Sequence, residues 1–271
     1  MEFTDPWGGV AFVLVVVAAA LALGALAQRL FPADVLRDGH DASGGVLAIV
    51  GTLYAVLLGL VVVDAMVRFE QAIDVTQQES NCLANIFLLA ERFPEPERSR
   101  VRDRCRNYAA QVADEEWRLM QTARMSVNAR STALAITTSL DTFEPVSEAH
   151  KIVYPLMLEQ MRDLWDKRRD RANTVRYGIP AVEWVALLIG GAVTVFLAGL
   201  FSVGSSLLRW LLTGLLGLVI GLNLYLVSLF GYPFAGGLSV SNRPFLLDIG
   251  IFESNFEVRP DEPRATGSTS R

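Results

Sequence analysis

At 271 residues, 52% of them hydrophobic, and with a mean hydropathy of +0.34, the chain is too apolar for an ordinary soluble protein. A net charge of -5 gives no reason to expect a nucleic-acid partner. Only two histidines and two cysteines occur, and no HExxH, CxxC, P-loop or GxSxG motif is present, so we predict no enzyme activity, no catalytic residue, no cofactor and no metal site.

Four apolar blocks divide the chain, and each is long enough to cross a membrane. About 20 apolar residues span a hydrocarbon core roughly 30 Å thick. The blocks cover approximately residues 8–27, 44–63, 179–201 and 207–230.

The first block has two interpretations. Ala25-Leu26-Ala27 resembles the small-x-small cleavage site of a signal peptide. The residues before the block include Glu2 and Asp5 but no Lys or Arg, whereas a secretory signal begins with a basic segment. This difference favours a retained span.

A charged segment of helical pattern separates the second and third blocks. No Gly or Pro occurs between Leu60 and Phe93, so the second span is predicted to continue into this segment as one helix. Small and apolar residues recur there at alternating spacings of four and three, which is a heptad pattern. This heptad seam comprises Phe69, Ile73, Thr76, Ser80, Leu83, Phe87 and Ala90.

Further helices are predicted at about 97–124, as a short helix within 126–143, and from about 146 into the third span. The arginine run of the first of these is interpreted as a solvated face, with binding to anionic headgroups as the alternative.

The predicted fold class is an all-α membrane protein: four transmembrane helices with a helical cytoplasmic bundle inserted between spans 2 and 3. The predicted domains are 1–63 (spans 1 and 2), 64–178 (cytoplasmic insert), 179–230 (hairpin of spans 3 and 4), 231–258 (shaped C-terminal segment) and 259–271 (disordered tail).

Basic residues near the span ends predict the orientation, because cytoplasmic loops carry an excess of Lys and Arg. The poorer side has Arg29, Arg37 and Arg209. The richer side should be cytoplasmic, which places both termini and the insert inside the cell and the chain in the bacterial inner (plasma) membrane. The richer side has Arg68, Lys167, Arg168, Arg169, Arg171, Arg176 and Arg243.

Small residues recur at four-residue spacing in the second, third and fourth spans. They allow close approach of helix backbones, which drives helix association in lipid. Packing within one subunit and contact between subunits both remain open interpretations. The stripes include Ala48, Thr52, Ala55 and Gly59; Ala186, Gly190, Thr194 and Ala198; and Thr213, Gly217 and Gly221.

Polar residues at the membrane edge and inside the fourth span are candidates for a pore or a gate. Asp64 lies four residues before Arg68, a spacing that permits an ion pair on one helix face. Ionisable groups at this depth often mark ion paths, although an interfacial anchor pair is the alternative. Asn223 and Tyr225 could line a pore or form interhelical hydrogen bonds.

The segment after the fourth span must leave the membrane as a shaped loop, because Pro stops a helix and Gly permits unusual backbone conformations. The loop either packs the C-terminal segment against the bundle, or lines a vestibule and binds an anion. Its candidate residues are Gly231, Pro233, Gly236, Gly237 and Arg243.

Several stretches together resemble one known family. The sequence YAVLLGL at 54–60 leads into Arg68-Phe69-Glu70, and RRDR at 168–171 leads into Ile179-Pro180. YPFAGGLSVS at 232–241 is the most specific stretch. Over about residues 44–252 the chain resembles the bestrophin-like domain family of bacterial membrane proteins, which is distantly related to the bestrophins, pentameric anion channels that calcium gates in animals. No bestrophin pore-neck or calcium-clasp motif aligns here, so no channel residue is carried over.

The resemblance implies a homo-oligomer in the lipid bilayer, with a pentamer as the expected count and ions as ligands. We therefore predict an oligomeric, bestrophin-like ion (anion) channel. The alternative is a membrane-anchored scaffold or signal transducer whose cytoplasmic helical domain binds a partner. The heptad seam and the charged helix faces fit both functions.

Overall fold

The structure, a computed structural model, describes residues 6–31, 40–200 and 205–257. The predicted tail at 259–271 and residues 201–204 of the predicted hairpin of spans 3 and 4 lie outside these residues. The described part is helical. Its helices are α1 (Pro6–Leu30), α2 (His40–Leu89), α3 (Glu97–Gln111), α4 (Trp117–Met120), α5 (Val127–Asp141), α6 (Glu148–Arg176), α7 (Ala181–Gly199), α8 (Ser206–Phe230) and α9 (Arg243–Glu257).

Helix α2 is continuous over 50 residues, about 75 Å at 1.5 Å per residue. A 3₁₀ turn, Ala90–Arg92, ends it just before Pro94. The prediction that the second span continues into the charged segment as one helix is therefore confirmed.

The chain forms two compact units. The first, here called the membrane unit, comprises Met1–Asp74, Gln121–Ala123 and Ala172–Val240. The second, here called the helical unit, comprises Val75–Met120, Arg124–Arg171 and Ser241–Arg271. Helices α2 and α6 each contribute to both units.

Four stretches of the described chain are helical, long and apolar enough to cross a membrane: Trp7–Leu30, Gly44–Arg92, Glu148–Gly199 and Ser206–Phe230. In the most apolar part of each stretch, most residues are exposed, as expected for helices that present apolar side chains to lipid. The prediction of an all-α protein with four apolar spans is confirmed.

Within the membrane unit, small residues bring α1, α7 and α8 close together. A Cβ at Gly199 would lie 2.9 Å from the Cα of Gly24, and one at Gly217 would lie 2.7 Å from the Cβ of Ala20. Helix α2 contacts α7 through the Tyr54 ring, which covers Gly190. The stripes of the third and fourth spans thus pack within one subunit at these positions.

The helical unit has its own apolar core, built from α2, α3, α5, α6 and α9. The heptad seam is buried in it from Thr76 onwards. Of the first two seam residues, Phe69 packs edge-on against Phe230 in the membrane unit at 5.5 Å, and Ile73 is exposed.

The predicted helix at 97–124 is interrupted. It widens into a π-helical turn, Val112–Glu116, and ends at Met120. Such turns are rare and often occur at functional sites. The turn here carries the buried side chain of Glu116. The predicted short helix within 126–143 is confirmed as α5, and the Ser126 hydroxyl caps it by accepting a hydrogen bond from the Ala129 amide.

Candidate functional site

The predicted pair of Asp64 and Arg68 forms on α2. The Nε of Arg68 donates to the carboxylate of Asp64 at 2.6 Å, and both side chains are partly exposed. The bond uses Nε and leaves the two terminal nitrogens of the guanidinium for other partners. An exposed ion pair of this kind contributes little to the stability of the fold, so its interest lies in where it places a charged side chain on α2.

The two polar candidates of the fourth span, Asn223 and Tyr225, contact their own helix and α1. The Asn223 amide donates to the Val219 carbonyl of its own helix at 2.9 Å. The Tyr225 ring packs against α1, where a Cβ at Gly9 would lie 2.5 Å from the Tyr225 hydroxyl oxygen and the Phe12 ring is 6.3 Å away. In the described part of the chain, neither side chain hydrogen-bonds to Asp64 or Arg68.

The loop after α8 is held by its own backbone. The Ala235 amide donates to the Tyr232 carbonyl at 3.0 Å, and the Val240 amide donates to the Pro233 carbonyl at 2.8 Å. Gly236 has φ +92°, a conformation that side chains rarely adopt, and both Gly236 and Gly237 are exposed. Gly231 is also closely packed, because a Cβ there would lie 2.3 Å from the Ile179 side chain and 2.7 Å from the backbone oxygen of Val227.

The last candidate, Arg243, lies in the helical unit at the start of α9. It is exposed, and its backbone amide donates to the Ser241 hydroxyl at 3.2 Å.

Two predicted sites that are distant in sequence meet at one pocket of the membrane unit. The pocket has a volume of about 180 Å³, and we call it the Arg68 pocket. Arg68 of α2 lines the pocket together with residues of the loop that follows α8. It is lined by Arg68 and Gln71 of α2, by Asn173, Thr174 and Tyr177 at the end of α6, and by Gly231 and Pro233 of the loop.

The helical unit contains a buried charge cluster that the sequence patterns did not reveal. Arg171, fully buried, donates to both carboxylate oxygens of Glu79 at 2.7 and 2.8 Å and to Glu116 at 2.6 Å. Arg168 makes a two-pronged contact with Glu116 at 2.9 and 2.6 Å. We call these four residues the Arg–Glu cluster.

Neutral groups complete the cluster. The Tyr108 hydroxyl donates to Glu79 and accepts a hydrogen bond from Arg168 at 2.9 Å. The backbone amide of Ser126 donates to Glu116 at 2.9 Å. Two arginines and two glutamates balance in charge, so the cluster is a neutral unit whose buried charges are all paired.

Burial disfavours charge in the cluster, but the opposite charges dominate. The positive charges of Arg171 and Arg168 hold the pKa of Glu116 below its ordinary value despite its burial. Glu79 and Glu116 likewise raise the pKa of the Arg171 guanidinium against the effect of burial. Both residues therefore remain ionised at physiological pH.

The burial of Arg168 and Arg171 also changes the charge count used for orientation. Both were counted as basic residues near the membrane, yet their charges are neutralised inside the helical unit. Because they are three residues apart, Arg168 and Arg171 lie on one face of α6, and the buried Leu164 lies on the same face. This shared face was the signal in the sequence that the two arginines could be buried.

A second buried acid lies on α9. Asp248 is only 6% exposed and accepts a hydrogen bond from the Ser80 hydroxyl at 2.6 Å. It lies between Phe245 and Phe252, which are fully buried in the core. Burial raises the pKa of Asp248 to about 6, and the Ser80 hydrogen bond opposes this only in part.

Replacing Asp248 with Asn should remove a pH-dependent loss of stability. The folded carboxyl keeps its proton up to about pH 6, whereas the unfolded one, with an ordinary pKa of 3.8, loses it earlier. As the pH rises from about 4 to about 6, the natural protein should therefore lose stability relative to Asp248→Asn. Above pH 6 the difference in stability between the two proteins should stay constant. Thermal unfolding at pH 4.5, 5.5 and 7.5 measures it, and a difference that does not change with pH would contradict the expectation.

The sequence matches the Bestrophin-like domain over residues 14–245. The fold resembles crystal structures of a bacterial Bestrophin homolog from Klebsiella pneumoniae. One has 12% identity and a TM-score of 0.64 over 90% of this chain and 96% of that chain. A single-substitution variant has 13% identity and a TM-score of 0.63 over 90% and 97%. At these identities the likeness concerns the fold.

A comparison with curated proteins found no match. The family match nevertheless extends from within the first span to the start of α9, and it agrees with the resemblance predicted from the loop and the second span. The chain is a membrane protein that belongs to the Bestrophin-like domain family.

Proposed function

We propose that this protein is a homo-oligomeric ion channel of the bacterial plasma membrane, with anions as the conducted ions and a pentamer as the expected assembly. Family membership supports the class of protein. The exposed face of the second span supports the assembly, and it is the observation on which the proposal mainly rests.

Within its apolar stretch, helix α2 buries only Tyr54, Leu58 and Val61. Cβ atoms added at Gly51 and Gly59 would meet no neighbour within 4 Å, and Thr52 is exposed. Small residues favour helix–helix contact in lipid, yet among the residues that the structure describes, much of this stripe has no helix packed against it. A second copy of the chain would supply that helix.

The same helix carries the charged candidates. Asp64 and Arg68 follow the apolar part of α2 and are partly exposed. If copies of α2 surround a central path, their Asp64–Arg68 pairs form a ring of charges at its end, and such rings select ions. Asp64 accepts a hydrogen bond from Nε alone, so the terminal nitrogens of Arg68 would remain as donors for an anion in such a ring.

Gly59→Leu should weaken assembly and ion flux. A bulky side chain on the exposed small-residue face would separate neighbouring copies, and overpacking of this size costs about 1–3 kcal/mol, which is roughly 5- to 150-fold in association. Native mass spectrometry gives the subunit count, and chloride flux from liposomes gives the activity.

Ala192→Leu on α7 is the matched control, because Ala192 is also a small, exposed residue of a span. It should assemble and conduct like the natural protein. A monomeric natural protein, or liposomes that stay tight across pH, calcium and voltage, would contradict the proposal.

We further propose that both termini and the helical unit lie in the cytoplasm. When the buried Arg168 and Arg171 are left out of the count of basic residues, Lys167, Arg169 and Arg176 still flank the third span on that side. A reporter fused near Glu95 should be active only in its cytoplasmic form, and a periplasmic signal would reverse the orientation.

The scaffold function has one observation in its favour. A groove of about 690 Å³ on the helical unit is lined mostly by apolar residues, among them Leu88 on α2 and Ile152 and Leu156 on α6, all three exposed, and also by Asn85, Arg92 and Gln160. A specific cytoplasmic partner recovered by crosslinking through this groove, together with absence of flux, would favour a scaffold over a channel.

A further inference from the structure

We propose that the Arg68 pocket binds a phosphate group, supplied either by a phospholipid headgroup or by a soluble phosphate. Such a site would bind its ligand whether or not the protein conducts ions. The donors that line the pocket, their arrangement and the position of the pocket along the chain all support it.

The donors of the pocket suit an anion. Arg68 is its one charged lining residue among the described residues, so no carboxylate faces a ligand from the wall. Asp64 binds Nε from outside this lining, and the terminal nitrogens remain for a ligand. A guanidinium binds phosphate oxygens through two parallel hydrogen bonds.

Neutral donors stand on two helices around that charge. Gln71 lies one turn after Arg68 on α2, and Asn173 and Tyr177 come from the end of α6. A volume of about 180 Å³ is that of roughly six water molecules, which is more than a halide needs. Phosphate offers oxygens in several directions and can meet donors from both helices at once, whereas a carboxylate offers only two oxygens.

Contacts within the membrane unit hold the loop wall of the pocket. The Val240 amide donates a hydrogen bond to the Pro233 carbonyl at 2.8 Å, and the Tyr232 ring packs against Gly178, where a Cβ would lie 2.3 Å from it. A site that is already shaped loses little conformational entropy on binding.

The pocket also lies where spans end. Arg68 follows the apolar part of α2, Gly231 follows the last residue of α8, and Tyr177 precedes α7 by four residues. Groups at such positions lie at the depth of the headgroups, where phospholipid phosphates are concentrated and basic residues attract them.

Binding should depend on Arg68. Delipidated full-length protein in detergent is titrated with phosphatidylglycerol and, separately, with inorganic phosphate, and binding is followed by native mass spectrometry and by the shift in melting temperature. Arg68→Gln should bind about tenfold or more weakly, because a charge-assisted hydrogen bond is lost. Asp64→Asn, which removes the competing carboxylate, should bind at least as tightly as the natural protein.

Arg176→Gln is the matched control. Arg176 is the last residue of α6, which contributes Asn173 to the pocket, but Arg176 itself does not line the pocket, so this variant removes one positive charge and leaves the lining unchanged. It should bind normally. Arg68→Lys, which keeps the charge and loses the two-pronged geometry, should bind more weakly and covers the case in which Arg68→Gln fails to fold.

Arg68-dependent binding of phosphatidylglycerol alone would identify a lipid headgroup site. Arg68-dependent binding of inorganic phosphate would identify a site open to soluble phosphate. Equal binding by Arg68→Gln, Arg68→Lys and the natural protein, or no binding of either probe, would overturn the proposal.

Discussion

Replacing Arg171 with Met is expected to destabilise the helical unit by about 3–5 kcal/mol, because it leaves buried Glu79 without its two-pronged partner and Glu116 with one arginine instead of two. A loss of this size is a large fraction of the total stability of a typical domain. Thermal unfolding of the detergent-solubilised protein, followed by circular dichroism, measures the change.

Arg169→Met provides the control on the same helix. The Arg169 side chain is 69% exposed, and within the described part of the chain its ion pair is with Asp166 at the surface, so its replacement should change stability by less than about 0.5 kcal/mol. Adding Glu79→Gln to Arg171→Met should restore part of the loss by removing a buried charge that has lost its two-pronged partner and whose remaining arginine, Arg168, lies 3.9 Å away. Equal melting temperatures for Arg171→Met and Arg169→Met would show that the Arg–Glu cluster contributes nothing to stability.

Replacing Gly199 with Val is expected to separate α7 from α1 and to cost about 3 kcal/mol. A Cβ there would lie 2.9 Å from the Cα and 3.1 Å from the carbonyl oxygen of Gly24. Both atoms belong to backbone, which cannot move aside as the end of a flexible side chain can. The melting temperature in detergent should fall accordingly.

Gly214→Val on α8 is the matched control. A Cβ at Gly214 would meet only the end of the Leu21 side chain, at 3.7 Å, which is an ordinary contact. Val at this position should therefore be tolerated. If both variants melt at the same temperature, close packing of α7 on α1 does not determine the stability of the membrane unit.

The features that were predictable from sequence are local. Continuity of α2 follows from the lack of Gly and Pro between Leu60 and Phe93, and the Asp64–Arg68 pair follows from a spacing of four. Both depend on one helix and its period, which the sequence displays directly.

The features that were missed depend on distant residues. Glu79 and Arg171 are 92 residues apart, and the seam around Glu79 has the period of an apolar core without showing that a charge is buried in it. Likewise, Arg68 and the loop were separate candidates, and only the folded membrane unit brings them to one pocket. Pairing across such separations depends on tertiary structure and leaves no periodic signal.

The separation of the cluster's residues has a consequence for biosynthesis. Glu79 leaves the ribosome 92 residues before Arg171, and at about 5–20 residues per second this corresponds to roughly 5–20 s. During that interval Glu79 and Glu116 have no arginine partner, so burying them would be costly and the helical unit has to stay open or hydrated. Its closure must therefore await α6, whose continuation is the third span, and completion of its core must also await α9, which follows the fourth span.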